Sequence, residues 1–163
     1  MTRGLVNHYF GTKRDLYLEV VREAAEFPQT PITYAGDASI QERIDNGVQW
    51  YLDAALSASG SWINVHGERG LGRDPELEAI LGAAEDATID RVLEAIGLEH
   101  EQAHRTERRA IIRTYGQLAR TAVREWTVKD RLSREQVHQL LGATLLTIVR
   151  DVLPSLDGPT DPQ

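Results

Sequence analysis

The 163-residue sequence contains no cysteine, which excludes disulfide bonds and thiolate metal sites. Long apolar segments are also lacking, because the apolar stretch over 140–149 is far shorter than the roughly twenty residues that span a bilayer. The residues after Met1 are mixed in character and do not form the apolar core of a signal peptide. We therefore expect a cytoplasmic protein that does not enter a membrane.

Basic residues are outnumbered by acidic ones, 18 to 25, and the formal net charge is −7. A chain of this charge is not a generic nucleic-acid binder. The charge is unevenly distributed, however, because Arg3, Lys13 and Arg14 precede the first acidic residue, Asp15. Since a bound phosphate responds to local charge, the acidity argues against nucleic-acid binding only for the rest of the chain.

Apolar residues recur at three- and four-residue spacing along most of the chain, and no segment alternates like a β-strand. Helix-start signals precede several of these segments: Thr12 as an N-cap, capping boxes at Ser39 and Ser133, and Asp74 followed by Pro75. The sequence therefore predicts an all-α protein. The expected helices cover about residues 5–10, 13–27, 39–57, 62–66, 75–96, 106–129 and 133–153.

The same spacing predicts which side chains are buried. In the helix over 13–27, the buried stripe is Leu16, Val20 and Ala24, with Tyr17 and Val21 beside it. In the helix over 75–96, it is Leu77, Leu81, Ala84, Thr88, Val92 and Ile96. In the helix over 106–129, it is Ile111, Tyr115, Leu118, Ala122 and Trp126, widened by Ile112, Ala119 and Val123.

The start of the chain reads Leu5-Val6-Asn7-His8-Tyr9-Phe10, followed by Gly11-Thr12-Lys13. This pattern resembles the end of the DNA-binding domain of TetR-family transcriptional regulators. In that family the recognition helix ends in a similar aromatic-rich motif, and a glycine or proline, a small residue and a lysine follow. Asn7 departs from the pattern, because the family more often has an aromatic residue at that position.

The resemblance implies a TetR-like helical bundle, with residues 1–27 as a remnant of the DNA-binding domain and residues 28–163 as the ligand-binding and dimerisation domain. Family members carry further helices ahead of this motif, so we expect an incomplete DNA reader in this chain. The implied function is a ligand-responsive transcriptional repressor, with operator DNA as the partner of the full-length protein. The residues expected to contact DNA are Thr2, Arg3, Asn7, His8 and Lys13.

Several of the few aromatic residues fall on helices in the middle of the chain, where the family has its effector pocket. Because such pockets are mostly apolar with a few polar anchors, we expect a small-molecule effector there and no cofactor. The class of effector stays open. The aromatic residues favour a flat or hydrophobic molecule, whereas Glu68, Glu85 and Asp86 leave room for a cation. The expected ligand contacts are Trp50, Trp62, His66, Glu85 and Tyr115.

The last helix is apolar on more than one side, and the small residues at 142–144 allow a neighbouring helix to approach closely. Since a terminal helix of a monomer seldom needs two apolar faces, we expect a homodimer formed by the last two helices. Leu140, Ala143 and Leu146, with part of the Trp126 ring, are expected to lack a partner within their own chain and to form the interface.

Catalytic motifs are missing: there is no nucleophile elbow, no phosphate-binding loop after a strand and no paired-carboxylate motif. His100 and His104 have metal-ligand spacing but no evident third ligand. We therefore expect neither an enzyme nor a metal site. The alternative to a transcriptional regulator is a DNA-independent helical dimer that acts as a small-molecule or protein interaction module.

Overall fold

The structure, a computed structural model, describes residues 12–25, 36–57 and 74–158, and every regular element in these ranges is helical. The all-α prediction is confirmed. Two of the predicted helices, over 5–10 and 62–66, lie outside the described residues. The five α-helices are α1 (Lys13–Ala25), α2 (Ile40–Ser57), α3 (Pro75–Ala95), α4 (Arg105–Thr127) and α5 (Arg134–Thr147).

The predicted helix starts are confirmed by hydrogen bonds at each N-cap. The backbone N–H of Asp15 donates to the Thr12 hydroxyl at 3.2 Å, and that of Gln136 donates to the Ser133 hydroxyl at 3.1 Å. The Gln136 side chain accepts the Ser133 N–H in return, which completes the capping box. The residues that begin helices in this way are Thr12, Ser39, Asp74 and Ser133.

The core lies between α2, α3, α4 and α5. Tyr115 of α4 donates its hydroxyl to the Leu141 carbonyl of α5 at 3.2 Å, and Arg134 of α5 contacts Asp53 of α2 at 2.6 Å. Burial of apolar side chains is the main source of stability in such a bundle. The largest fully buried side chains are Leu52, Ile112, Val123, Val137 and Leu141.

Helix α1 packs against α3, and its buried side chains do not belong to this core. Leu18 and Val21 are 3% and 2% exposed, whereas Val20, which the sequence pattern assigned to the buried stripe, is 54% exposed. The predicted stripe is therefore wrong at Val20 and lacked Leu18, whereas Val21 is buried as expected and Leu16 is half-buried. Because α1 has α3 as its principal neighbour, it buries only a narrow stripe, and Tyr17, which was expected beside that stripe, is also exposed.

Helix α3 presents two apolar surfaces rather than the one that was predicted. Ile89 and Leu93, which the predicted stripe omitted, are the buried residues within the helix. Ala84, Thr88 and Val92 belong to the predicted stripe but are half-buried; all three line a cavity, and Val92 also packs against the core.

Every residue of the predicted stripe of helix α4 is buried or half-buried. Tyr115 and Ala122 of the main stripe are buried, whereas Ile111, Leu118 and Trp126 are half-buried. The residues predicted to widen the stripe are all buried: Ile112, Ala119 and Val123. The helix packs on both α3 and α5, so its apolar surface is broader than one line of residues.

Beyond α5 the chain stays helical as far as residue 157. A π-helical turn covers Ile148–Val152, in which the Leu153 N–H donates to the Ile148 carbonyl at 2.8 Å, and a 3-10 turn covers Pro154–Asp157. The wider π turn admits one extra residue and leaves Leu153 3% exposed. The sequence predicted that the last helix ends near residue 153, but the chain forms this further turn and Leu156 packs against the core.

Candidate ligand-binding cavity

A cavity of about 110 Å³ lies within the bundle, with wall residues from α2, α3, α4 and α5. Its size is of the order of the roughly 150 Å³ apolar cavity that admits a benzene molecule. Along α3 the wall runs from Ala84 to Ile96, about 18 Å at 1.5 Å per residue. Most of the lining is aliphatic or aromatic, so the space suits an apolar molecule with a few polar contacts.

Three of the five predicted ligand contacts line this one cavity: Trp50 on α2, Glu85 on α3 and Tyr115 on α4. The other two, Trp62 and His66, lie outside the described residues. Residues that are far apart in the sequence are therefore brought together by the helix packing, as the prediction of a pocket between the middle helices required.

The two tyrosines of the cavity are deeply buried. Burial raises the pKa of the Tyr51 phenol well above its usual value; the nearby Arg120 partly opposes this effect, and Tyr115 adds to it. Burial likewise raises the pKa of Tyr115, whose hydroxyl donates to the Leu141 carbonyl. The Tyr115 hydroxyl thus joins two helices, and its ring is the part that lines the cavity wall.

The Glu85 carboxylate is the acidic group of the cavity wall, and both of its oxygens accept hydrogen bonds from α4. Oε1 accepts from Arg120 at 2.8 Å and from Gln117 at 3.1 Å, and Oε2 accepts from Arg113 at 3.2 Å. The Glu85 side chain is only 18% exposed, so this pairing compensates a carboxylate that is largely removed from water.

A second ion-pair cluster continues along the same α3–α4 boundary. Asp86 accepts from Arg109 at 2.9 Å and from Arg113 at 3.0 Å, and Arg109 also contacts Asp90. The hydrogen bond from Arg109 and the positive charges lower the pKa of Asp86. Because Asp86 is held on the outer side by these arginines, it is not among the residues of the cavity wall.

Sequence reasoning missed the basic side chains of the cavity. Arg43 and Arg91 line it in addition to Arg113 and Arg120, and the Arg91 guanidinium lies 5.9 Å from the centre of the Trp50 ring, a cation–π distance. The only available signal was the helical spacing of residues 113, 116 and 120 beside the apolar stripe of α4. Charged residues at such positions ordinarily face water, so the pattern did not distinguish the cavity-lining arginines from arginines at the surface.

Of the predicted DNA contacts, Thr2, Arg3, Asn7 and His8 lie outside the described residues. Lys13 is exposed and is the first residue of α1. The Thr12 N–H and hydroxyl both donate to Asp15, which places an acidic side chain at the same helix start. Hydrogen bonds from Thr12 lower the pKa of Asp15, so it is ionised at neutral pH.

Helix α1 is joined to the beginning of α3 by exposed ion pairs. The Arg14 guanidinium contacts the Asp74 and Glu76 carboxylates, each at 3.1 Å. Asp74 is also the N-cap of α3, so the residue that starts the cavity-lining helix contacts α1 directly. The Arg14 side chain itself is 55% exposed, so these contacts lie at the surface of the protein.

The outward face of α5 is apolar but lacks a covering helix among the described residues. Leu140 is 41% exposed and Ala143 is exposed, in agreement with the predicted interface. Leu146 and part of the Trp126 ring were predicted to lack an intramolecular partner. Leu146 instead packs against the core of its own chain, and Trp126 packs there as well. They are half-buried, and only their outer parts remain available.

The stretch Arg134–Asp157 is also, by length and composition alone, long and apolar enough to cross a membrane. Only 17% of the most apolar part of this stretch is buried within the chain, in agreement with its exposed apolar surface. Arg150 and Asp151 are exposed charges within this stretch, and both would be costly in a bilayer.

Comparisons with protein-family models, with curated proteins and with solved structures find no match to this chain. Within the described residues, no group of three or more His, Asp or Glu side chains could hold a metal ion. The features that bear on function are the cavity, the contact between α1 and α3, and the sequence motif at the start of the chain.

Proposed function

We propose that this chain is the ligand-binding and dimerisation part of a ligand-responsive transcriptional repressor that resembles the TetR family. The observation that carries the proposal is the apolar cavity between α2, α3, α4 and α5, whose wall helix α3 also holds α1 through Arg14 and Asp74. In the proposed protein α1 follows the recognition helix directly, so α3 links the effector to the DNA reader.

The proposed mechanism is a population shift. An effector that fits the cavity better in one arrangement of α3 than in another favours that arrangement by the difference in its binding free energy. Because α3 contacts α1 at Asp74 and through packing along the helix, a changed position of α3 moves α1 as well. In a twofold dimer this movement changes the spacing of the two recognition helices, and half-site spacing determines operator binding.

The dimer is proposed to form through the outward faces of α4 and α5. Leu140 and Ala143 supply the centre of the contact, with the outer parts of Leu146 and Trp126 beside them. A second copy of the chain buries these side chains against their own equivalents. The proposed protein is cytoplasmic, and the exposed apolar surface of Arg134–Asp157 is assigned to this contact and not to a membrane.

DNA binding is tested by titrating the promoter region of the protein's own gene. The titration uses this chain and the chain extended by any in-frame codons upstream of Met1. We expect the extended chain to bind, and Lys13→Gln in it to weaken binding uniformly and to reduce the salt slope by about one unit, as loss of a phosphate contact does. Lys129→Gln, on an exposed residue beyond α4, serves as the matched control.

Failure of the extended chain to bind any fragment of this region would contradict the repressor proposal. If the protein then still bound a small molecule in the cavity, the result would favour the alternative, a DNA-independent helical dimer that acts as an interaction module.

A further inference from the structure

Hydrogen-bond donors and acceptors are unequally distributed around the cavity. The charged residues that the structure places in its wall are four arginines, at 43, 91, 113 and 120, and one carboxylate, Glu85. A guanidinium has five N–H donors and no acceptor. The cavity therefore offers many more donors than acceptors to a bound molecule.

The one carboxylate is already occupied. Both Glu85 oxygens accept hydrogen bonds from α4, with Arg113, Gln117 and Arg120 as the donors. A cationic ligand that paired with Glu85 would have to replace these contacts and would separate Arg120 from the carboxylate that accepts its hydrogen bond. Displacing a buried charge pair in this way is costly, so Glu85 is not an anchor for a cation.

Arg113 and Arg120, by contrast, use only some of their N–H groups in these hydrogen bonds. Arg120 is 15% exposed and donates to Glu85 through Nη2 alone among the described residues, while Arg113 donates through Nε and Nη2. The Thr88 hydroxyl donates to the Ala84 carbonyl and the Tyr115 hydroxyl to the Leu141 carbonyl, so both are already engaged in the fold.

From this asymmetry we infer that the cavity takes an apolar molecule with one carboxylate group. The carboxylate accepts from the free N–H groups of Arg120 and Arg113, since guanidinium and carboxylate pair in a charge-assisted, often bidentate geometry. The apolar body lies between Ile89 of α3 and Ile112 of α4, in the aliphatic part of the cavity. This inference rests on the proposed function and names the chemical class of its effector.

Calorimetric titration with probes of equal shape and different charge tests the inference. Octanoate, octanamide and octylammonium form one series, and 3-phenylpropanoate with its amide forms a second, which distinguishes a linear from an aromatic body. We expect each carboxylate to bind about tenfold or more tightly than its amide, as a charge-assisted hydrogen bond gives. Octylammonium is expected to bind most weakly.

Two substitutions with opposite expected signs locate the carboxylate. Arg120→Gln should weaken octanoate binding about tenfold and leave octanamide binding unchanged. Glu85→Gln removes the competing negative charge and should strengthen octanoate binding. Arg124→Gln, on an exposed residue one turn further along α4, is the control and should change neither. Melting curves of all three variants verify that the fold is retained.

Equal affinity for octanoate, octanamide and octylammonium would overturn the preference for an anion while leaving ligand binding by the cavity intact. Tighter binding of octylammonium would also overturn it, as would weaker octanoate binding by the Glu85→Gln variant. If none of the five probes bound, this inference would be contradicted, whereas the proposed function would still be decided by the promoter titration.

Discussion

Helix α1 and the α2–α5 bundle are held by different kinds of contact. The bundle encloses a continuous set of buried side chains, among which Leu52 is 0% exposed. Helix α1 has two buried residues outside that set and an exposed ion pair from Arg14 to Asp74. Burial is the larger source of stability, and exposed ion pairs contribute little. The comparison indicates that α1 can change position while the bundle stays folded.

The weaker attachment of α1 allows a change in the cavity to be transmitted to this helix. A segment that moves on ligand binding has to be held by contacts weaker than those of the fold as a whole. Helix α3 belongs to both regions, because its first turn contacts α1 and its later turns line the cavity. Substitutions in the bundle should therefore affect the stability of the whole fold, whereas substitutions at the contact with α1 should act locally.

The largest effect is expected in the bundle. Leu52→Ala should lower the free energy of unfolding by about 2–5 kcal/mol, because it removes a fully buried side chain and leaves a cavity. Leu56→Ala, one turn later on α2 and 56% exposed, should change it by no more than about 0.5 kcal/mol. Urea unfolding measures both values. Similar losses for the two variants would mean that α2 does not bury the face described here.

Next in size is the effect of a charge on the outward face of α5. Ala143→Glu should convert the expected dimer to monomer or aggregate, because an unpaired carboxylate at the centre of an apolar interface is costly. Ser155→Glu, in the exposed 3-10 turn, should leave the assembly unchanged. Sedimentation distinguishes the species. A monomeric wild-type protein, or an Ala143→Glu protein that remains dimeric, would contradict the proposed interface.

A smaller and local effect is expected at the contact between the two regions. Arg14→Gln should leave the melting temperature almost unchanged but make the amides of α1 exchange several-fold faster, because the ion pairs to Asp74 and Glu76 are lost. Arg22→Gln is the control, since Arg22 pairs with Glu19 in the same helix. Faster exchange spread through α2 and α4 as well would show that α1 and the bundle form one cooperative unit.

The smallest expected effect is that of acidic pH on the contact between Asp74 and Arg14. Burial opposes ionisation of Asp74, but hydrogen bonds from the Glu76 N–H and from Arg14 outweigh it and lower the pKa of Asp74 below its ordinary 3.8. Because the pKa of Asp74 is lower in the folded protein, its ionised form stabilises the fold at any pH above the ordinary pKa of 3.8. This stabilisation is lost as the pH falls through the pKa of the folded protein. The difference in α1 amide exchange between wild type and Arg14→Gln should therefore shrink below about pH 4. A difference that grows on acidification would contradict the pairing.

The sequence predicted the helical class well because its signals were local. N-caps such as Ser133 and the glycine after α3, Gly97 with φ of 76°, act within a few residues and need no tertiary information. The ends of four helices were accordingly close to their observed positions. Three predicted cavity contacts, Trp50, Glu85 and Tyr115, were also found together, because aromatic residues in a helical bundle tend to face inward.

What the sequence could not provide was the direction in which each helix faces its neighbours. Val20 and Leu18 are two residues apart, and only the position of α3 determines which of them is buried. Arg108 is a second example: its side chain is 8% exposed, with the Asp157 carboxylate 3.9 Å away. A single charged residue in a helix is ordinarily assigned to the surface, so its burial depends on tertiary packing that no local pattern contains.

In the proposed mechanism, a ligand in the cavity acts on α1 through α3. Amide hydrogen exchange with and without saturating octanoate measures this coupling. We expect slower exchange in α3 and also in α1 (Lys13–Ala25), although no residue of α1 lines the cavity. In the Arg14→Gln variant, the response of α1 should be reduced while that of α3 persists. Slower exchange confined to α2, α3, α4 and α5, with α1 unchanged in the wild-type protein, would contradict the proposed mechanism.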